Sequence, residues 1–165
     1  MPVITITLQK IRDQHPCPSG WEKLLNSKGG TTADYSAEFP LSDVLDSNDL
    51  ADTLWCLRCL PKHNNLWRLY AVWCARQVQH LMTDQRSIDA LDVAERHANG
   101  LATDSELAAA GAVAWAARAA WDAAWRAARA AAEAASWADA GAAWEAAWAA
   151  QAQKLREILN RGEWL

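Results

Sequence analysis

Cys56-Leu57-Arg58-Cys59 followed by His63 has the spacing of half a zinc site, with Cys17 or Cys74 as the fourth candidate donor. A structural zinc ion needs a closed set of donors, and no second CxxC or CxxH follows. The pair is also embedded in Trp55-Cys56-Leu57-Arg58-Cys59-Leu60, where small thiols on a core helix serve equally well. No metal and no cofactor are therefore expected. For nucleophilic catalysis the local pair is His15 and Cys17, and Pro16 between them fixes both without activating either. His80 and Asp84 have the spacing of a base and its orienter, but a helix-surface residue and a terminal cap account for them. A phosphate-binding glycine loop and a metalloprotease motif are both absent from the sequence. The chain is expected not to be an enzyme.

The acids carry a different chemistry. Asp34, Glu38, Asp43, Asp46, Asp49 and Asp52 occur between Gly29 and Leu57 without a single Lys or Arg, in a chain whose net charge is −4. Asp43, Asp46, Asp49 and Asp52 recur every three residues. Such a row could imitate phosphates and occupy a basic groove; alternatively, Asp favours helix starts, and two are expected here. Either way a charge-steered partner should be a protein with a basic surface, and direct nucleic-acid binding is not expected.

Tryptophan and alanine dominate the other end. Of the 45 residues from Ala108 to Ala152, 27 are alanine, and six of the eleven tryptophans lie among them. Ala119-Ala120-Trp121-Asp122-Ala123-Ala124-Trp125 returns as Ala142-Ala143-Trp144-Glu145-Ala146-Ala147-Trp148. Alanine is the best helix former and tryptophan offers a large apolar surface, so long helices in close contact are expected. Trp115 falls on the charged face of its helix with Arg118, Asp122, Arg126, Arg129 and Glu133, which marks it as a contact for a partner. Trp164 near the end of the chain is a second such candidate.

The elements that must position these residues follow from local patterning. Val3 to Thr7 is β-branched and fits one short N-terminal strand. Thr7 precedes a short helix with Leu8 and Ile11, which His15-Pro16-Cys17-Pro18 ends. Pro18 or Ser19 opens a second helix through Trp21, Leu24 and Leu25, closed by Gly29-Gly30. Residues 31–40 read as a polar loop. Helices are predicted over Leu41–Asp46, from about Asp49 to Pro61, from Leu66, and over Ser87–Asn99 with Gly100 as stop. Thr103-Asp104-Ser105-Glu106 has capping-box spacing and starts a long helix. A break is predicted at Ser136, because one helix to Asn160 would span roughly 80 Å at about 1.5 Å per residue. The second half then carries Trp137, Trp144, Trp148, Leu155 and Leu159 on one stripe, with Gly141, and forms an antiparallel hairpin on the Leu66 helix.

The expectation is an all-α, single-domain helical bundle: residues 1–40 an extension, 41–100 a helical core, and 103–160 an Ala/Trp-rich helical hairpin. A basic leader with a long apolar run and an uncharged apolar stretch of membrane-spanning length are both missing, and the cysteines form no disulfide framework. A cytoplasmic protein without membrane contact is expected, monomeric or homodimeric.

Arg68-Leu69-Tyr70-Ala71-Val72-Trp73-Cys74-Ala75-Arg76, then Asp84-Gln85-Arg86-Ser87, then Val93-Ala94-Glu95-Arg96-His97-Ala98-Asn99-Gly100 and the run opened by Glu106-Leu107 resemble a bacterial and phage family of immunity proteins. The resemblance covers about Leu50 to Leu159 and consists of a helix pair followed by an alanine-rich helical tail. It implies an all-α fold and a role in binding and neutralising a partner protein, and it assigns no catalytic or binding residue. A phage anti-defence protein of the anti-CRISPR kind, using the acidic segment, is the alternative. A structural or oligomerising module is the third.

Overall fold

The computed structural model describes residues 2–77, 79–82, 84–111 and 137–164, giving the backbone alone for 81 and 137–144. The fold is all-α with one short two-stranded sheet, as the β-branched start indicates. Two compact units divide the chain: residues 1–64 together with 148–165, and residues 65–147.

In the first unit, β1 (Thr5–Thr7) pairs antiparallel with β2 (Glu38–Pro40), in the register Thr5 to Pro40, Ile6 to Phe39 and Thr7 to Glu38. The second strand corrects the expectation of a plain polar loop over residues 31–40. Its pattern is exposed, buried, exposed around Phe39, and Pro40 is tolerated because the strand is an edge. Thr7 ends β1 and caps α1 (Leu8–Arg12), its side chain accepting from the Lys10 amide. Pro18 at the first turn opens α2 (Pro18–Ser27). Next come α3 (Asp43–Ser47) and α4 (Leu50–Cys56), the latter capped by Asp49, whose carboxylate accepts from the Asp52 amide at 2.8 Å. Two single 3-10 turns, Leu57–Cys59 and Pro61–His63, replace the longer helix expected to run through to Pro61.

The core of this unit joins segments from both ends of the sequence. Residues 1–40, read from the sequence as an extension, supply Ile4, Ile6, Leu8, Ile11, Leu24 and Phe39 to it. Helix α8 (Trp137–Arg161) contributes Leu155, Ile158 and Leu159, all fully buried. The Ile4 amide donates to the Leu159 carbonyl at 2.8 Å, and the Leu41 amide donates to the Ile4 carbonyl at 2.9 Å. One of the carbonyls orphaned at the helix end is thereby satisfied by the N-terminal segment. Gly162, at φ 70°, turns the chain out of the helix in the left-handed conformation that glycine adopts without steric penalty. The end of α8 thus has its partners in the first unit.

In the second unit, α5 (Asn64–Gln77, beginning one residue before it) buries Leu69, Tyr70 and Val72. The sequence periodicity places Leu66, Tyr70, Trp73, Cys74 and Leu81 on one side; of these Tyr70 is buried and Leu66, Trp73 and Cys74 are half-buried, so the buried face is rotated toward Leu69 and Val72. Arg76 on α5 reaches Asp92 (2.8 Å) and Glu95 on α6 (Gln85–Ala98). Gly100, at φ 74°, ends α6 as predicted. The capping box forms: the Thr103 amide donates to Glu106 (2.8 Å) and the Glu106 amide donates to Thr103 Oγ1 (3.2 Å), opening α7 over residues 104–111. The predicted break at Ser136, the charged face from Arg118 to Glu133 and Trp115 itself lie outside the described residues.

Candidate binding site

A cavity of about 60 Å³ opens where α1, α2, α3 and α4 converge in the first unit, lined by Ile11, Pro16, Cys17, Gly20, Trp21, Leu24, Val44, Asn48, Asp52, Trp55 and Cys56. It is built from the proline turn upward. His15 leaves α1 at φ 54°, a left-handed conformation uncommon for a side-chain-bearing residue, and turns the chain into Pro16. Cys17 caps α2, its Sγ accepting weakly from the Gly20 amide at 3.4 Å. Four residues on from Cys17, α2 presents Trp21, and one further turn places Leu24.

Opposite, α4 presents Asp52, Trp55 and Cys56, which lie on one side because residues three and four apart share a helix face. Gly20 lets the two helices approach. A Cβ there would lie 2.8 Å from Asp52 Oδ2 and 3.0 Å from Cys17 Sγ. The Asn48 amide group fastens the junction, donating to the Gly20 carbonyl (2.8 Å) and to Asp52 Oδ2 (2.7 Å). Asp52 Oδ1 accepts no hydrogen bond among the described residues. The cavity therefore has mainly apolar walls, two indoles, and a carboxylate with one oxygen open. Its lining contains no Lys, Arg or His. Arg58, outside the lining, lies over the Trp55 ring at 4.7 Å.

The six acids of the Lys- and Arg-free segment all belong to this unit, and each has a local task. Asp34 closes a turn by accepting from the Ser36 amide (2.8 Å) and hydroxyl (2.7 Å), which hold its carboxyl below the ordinary range. Glu38 accepts from Thr5 Oγ1 across the sheet at 2.9 Å. Asp43 pairs with Lys28 and Asp46 with Arg156. The Arg156 hydrogen bonds hold the Asp46 carboxyl below its usual value. Asp49 is the cap of α4, and Asp52 faces the cavity. The spacing of three reflects two successive helix starts, yet it leaves Asp34, Glu38, Asp49 and Asp52 without a cationic partner among the described residues.

Cys56, Cys59 and His63 are not gathered into a metal-holding group among the described residues. Burial first, then Cys59 and Asp52, push the Cys56 thiol up to about 12. Burial also raises Cys59 and lowers His63. Trp164, offered as a free contact, carries Lys154 over its ring at 4.7 Å.

The indoles of Trp21 and Trp55, the Asn48 clamp and the cavity were not anticipated from the sequence. A signal existed: Gly20, inside a helix where glycine costs roughly 0.5–1 kcal/mol, marks a close approach. No family model, curated protein or solved structure matches the chain.

Proposed function

We propose that this protein is a non-enzymatic inhibitor of the immunity type, which binds and blocks a partner protein that presents a basic surface. The observation that carries this reading is the segment 29–57, which holds six acids and no Lys or Arg: Asp34, Glu38, Asp49 and Asp52 have no cationic partner among the described residues, and Asp52 lines a cavity whose lining contains no Lys, Arg or His. Charge of one sign steers an oppositely charged partner and speeds its association. The cavity lining supplies no histidine to activate Cys17, so the residues favour recognition over nucleophilic catalysis. Among the described residues no helix is long and apolar enough to cross a membrane, in keeping with a partner met in water.

The reading of a phosphate-imitating row is less favoured, because Asp43 and Asp46 are neutralised by Lys28 and Arg156. Affinity capture from a host lysate tests the proposal, run in parallel with wild-type protein and with Asp49→Asn/Asp52→Asn. The expected result is a basic protein captured by the wild type, released by salt and lost from the variant. Capture that survives the neutralisation overturns it.

A further inference from the structure

The geometry points to a lysine side chain of the partner as the occupant of the cavity, its ammonium on Asp52 Oδ1 and its stem against Trp21 and Trp55. This deepens the reading of a basic partner and rests on it.

Size comes first. At about 10–15 Å³ for each water-sized group, the cavity of about 60 Å³ takes roughly four to six such groups. A four-carbon stem with its ammonium has that size. Chemistry comes second. Ile11, Leu24 and Val44 complete an apolar wall suited to methylenes, and the indoles of Trp21 and Trp55 favour a cation near their faces. The stacking of Arg58 on Trp55 shows that one indole of this site already accepts a cation on its ring.

The choice between the two basic side chains follows from the carboxylate. Arginine binds best with both of its parallel N–H groups on both oxygens. Asn48 holds Oδ2 of Asp52 at 2.7 Å, which leaves Oδ1 for a single donor. A point-like ammonium suits that remaining oxygen better than a fork does. An anion is disfavoured, because Asp52 is the one acidic side chain of the lining and no basic side chain belongs to it.

n-Butylammonium titrated into the full-length protein is the direct probe, read by 19F NMR of fluorotryptophan-labelled chain with Trp21 and Trp55 assigned by single Phe substitutions. Saturable shifts confined to these two indoles are expected. Affinity should be about tenfold lower for n-butanol, which lacks the charge, and lower for n-propylguanidinium. Asp52→Asn should reduce butylammonium to the level of butanol, whereas Asp46→Asn, which removes the Arg156 partner outside the cavity, should leave it unchanged. Equal affinity for butanol, equal affinity for propylguanidinium, or shifts spread over other tryptophans would overturn the assignment. The comparison of probes needs no variant, so a misfolded substitution cannot mask the answer. Loss of butylammonium binding alongside an Asp49/Asp52-dependent partner removes the lysine anchor and leaves the acidic-face reading standing. Butylammonium binding with a partner indifferent to these acids does the reverse.

Discussion

The two units of this chain are held together by different means. The first buries large branched side chains completely: Ile6, Leu8, Ile11, Leu41, Leu50, Leu155 and Leu159 are each at most 2% exposed. The second, in its described residues, buries Leu69, Tyr70, Val72 and Ala98 at 3–7% and ties its helices by Arg76–Asp92, Arg76–Glu95 and His97–Asp104. Branched aliphatic side chains make a closed core, whereas the described residues of the second unit are joined to a greater extent by exposed polar pairs and caps. Among the described residues, the closed core and the cavity belong to the same unit. A recognition site needs groups fixed in place, and a dense core fixes them.

The largest test of that contrast is Leu159→Ala. The side chain is 0% exposed, and its removal should cost about 2–5 kcal/mol, read by urea unfolding. Leu69→Ala in α5, at 7% exposure, should cost less. Equal losses would erase the distinction between the two units. Gly20→Ala comes next: its Cβ would meet Asp52 Oδ2 at 2.8 Å and Cys17 Sγ at 3.0 Å, so about 1–3 kcal/mol should be lost, with a measurable change in Trp21 and Trp55 fluorescence.

In the second unit, Arg76→Met removes both ion pairs to α6 and should lower stability by about 1 kcal/mol or less, with a dependence on salt that Leu159→Ala lacks. Asp46→Asn should have the smallest effect, below about 1 kcal/mol at neutral pH because the pair with Arg156 is exposed. Its signature is the pH profile. The folded carboxyl titrates below its ordinary 3.8, so the pair stabilises above that pH and the gain disappears as pH falls through the lowered value. The wild type should lose its advantage over Asp46→Asn on acidification below about pH 4, and a gap that persists there would contradict the ion pair.

The helical character, the strand at Thr5–Thr7, the cap at Thr7, the glycine stop at Gly100 and the capping box at Thr103 were legible, because each is written within a few adjacent residues. What escaped depends on residues far apart. β2 exists because Phe39 lies across from Ile6, and its three residues are too short to announce themselves. Periodicity shows which face of α8 is apolar and not what will cover its end; Ile4, more than 150 positions earlier in the chain, bonds to the Leu159 carbonyl there. The acidic segment was legible as charge, but its division into cation-paired and open acids required Lys28 and Arg156 from elsewhere in the chain. The cavity likewise needs Cys17 and Asp52 brought together across Gly20.

Hydrogen exchange on the complex with the captured partner tests the central claim, recognition through the acidic segment of the first unit, most directly. Slowed exchange is predicted at residues 16–24 and 48–56, around the cavity and the cap of α4. Protection confined to residues 85–111, with these segments unchanged, would contradict it.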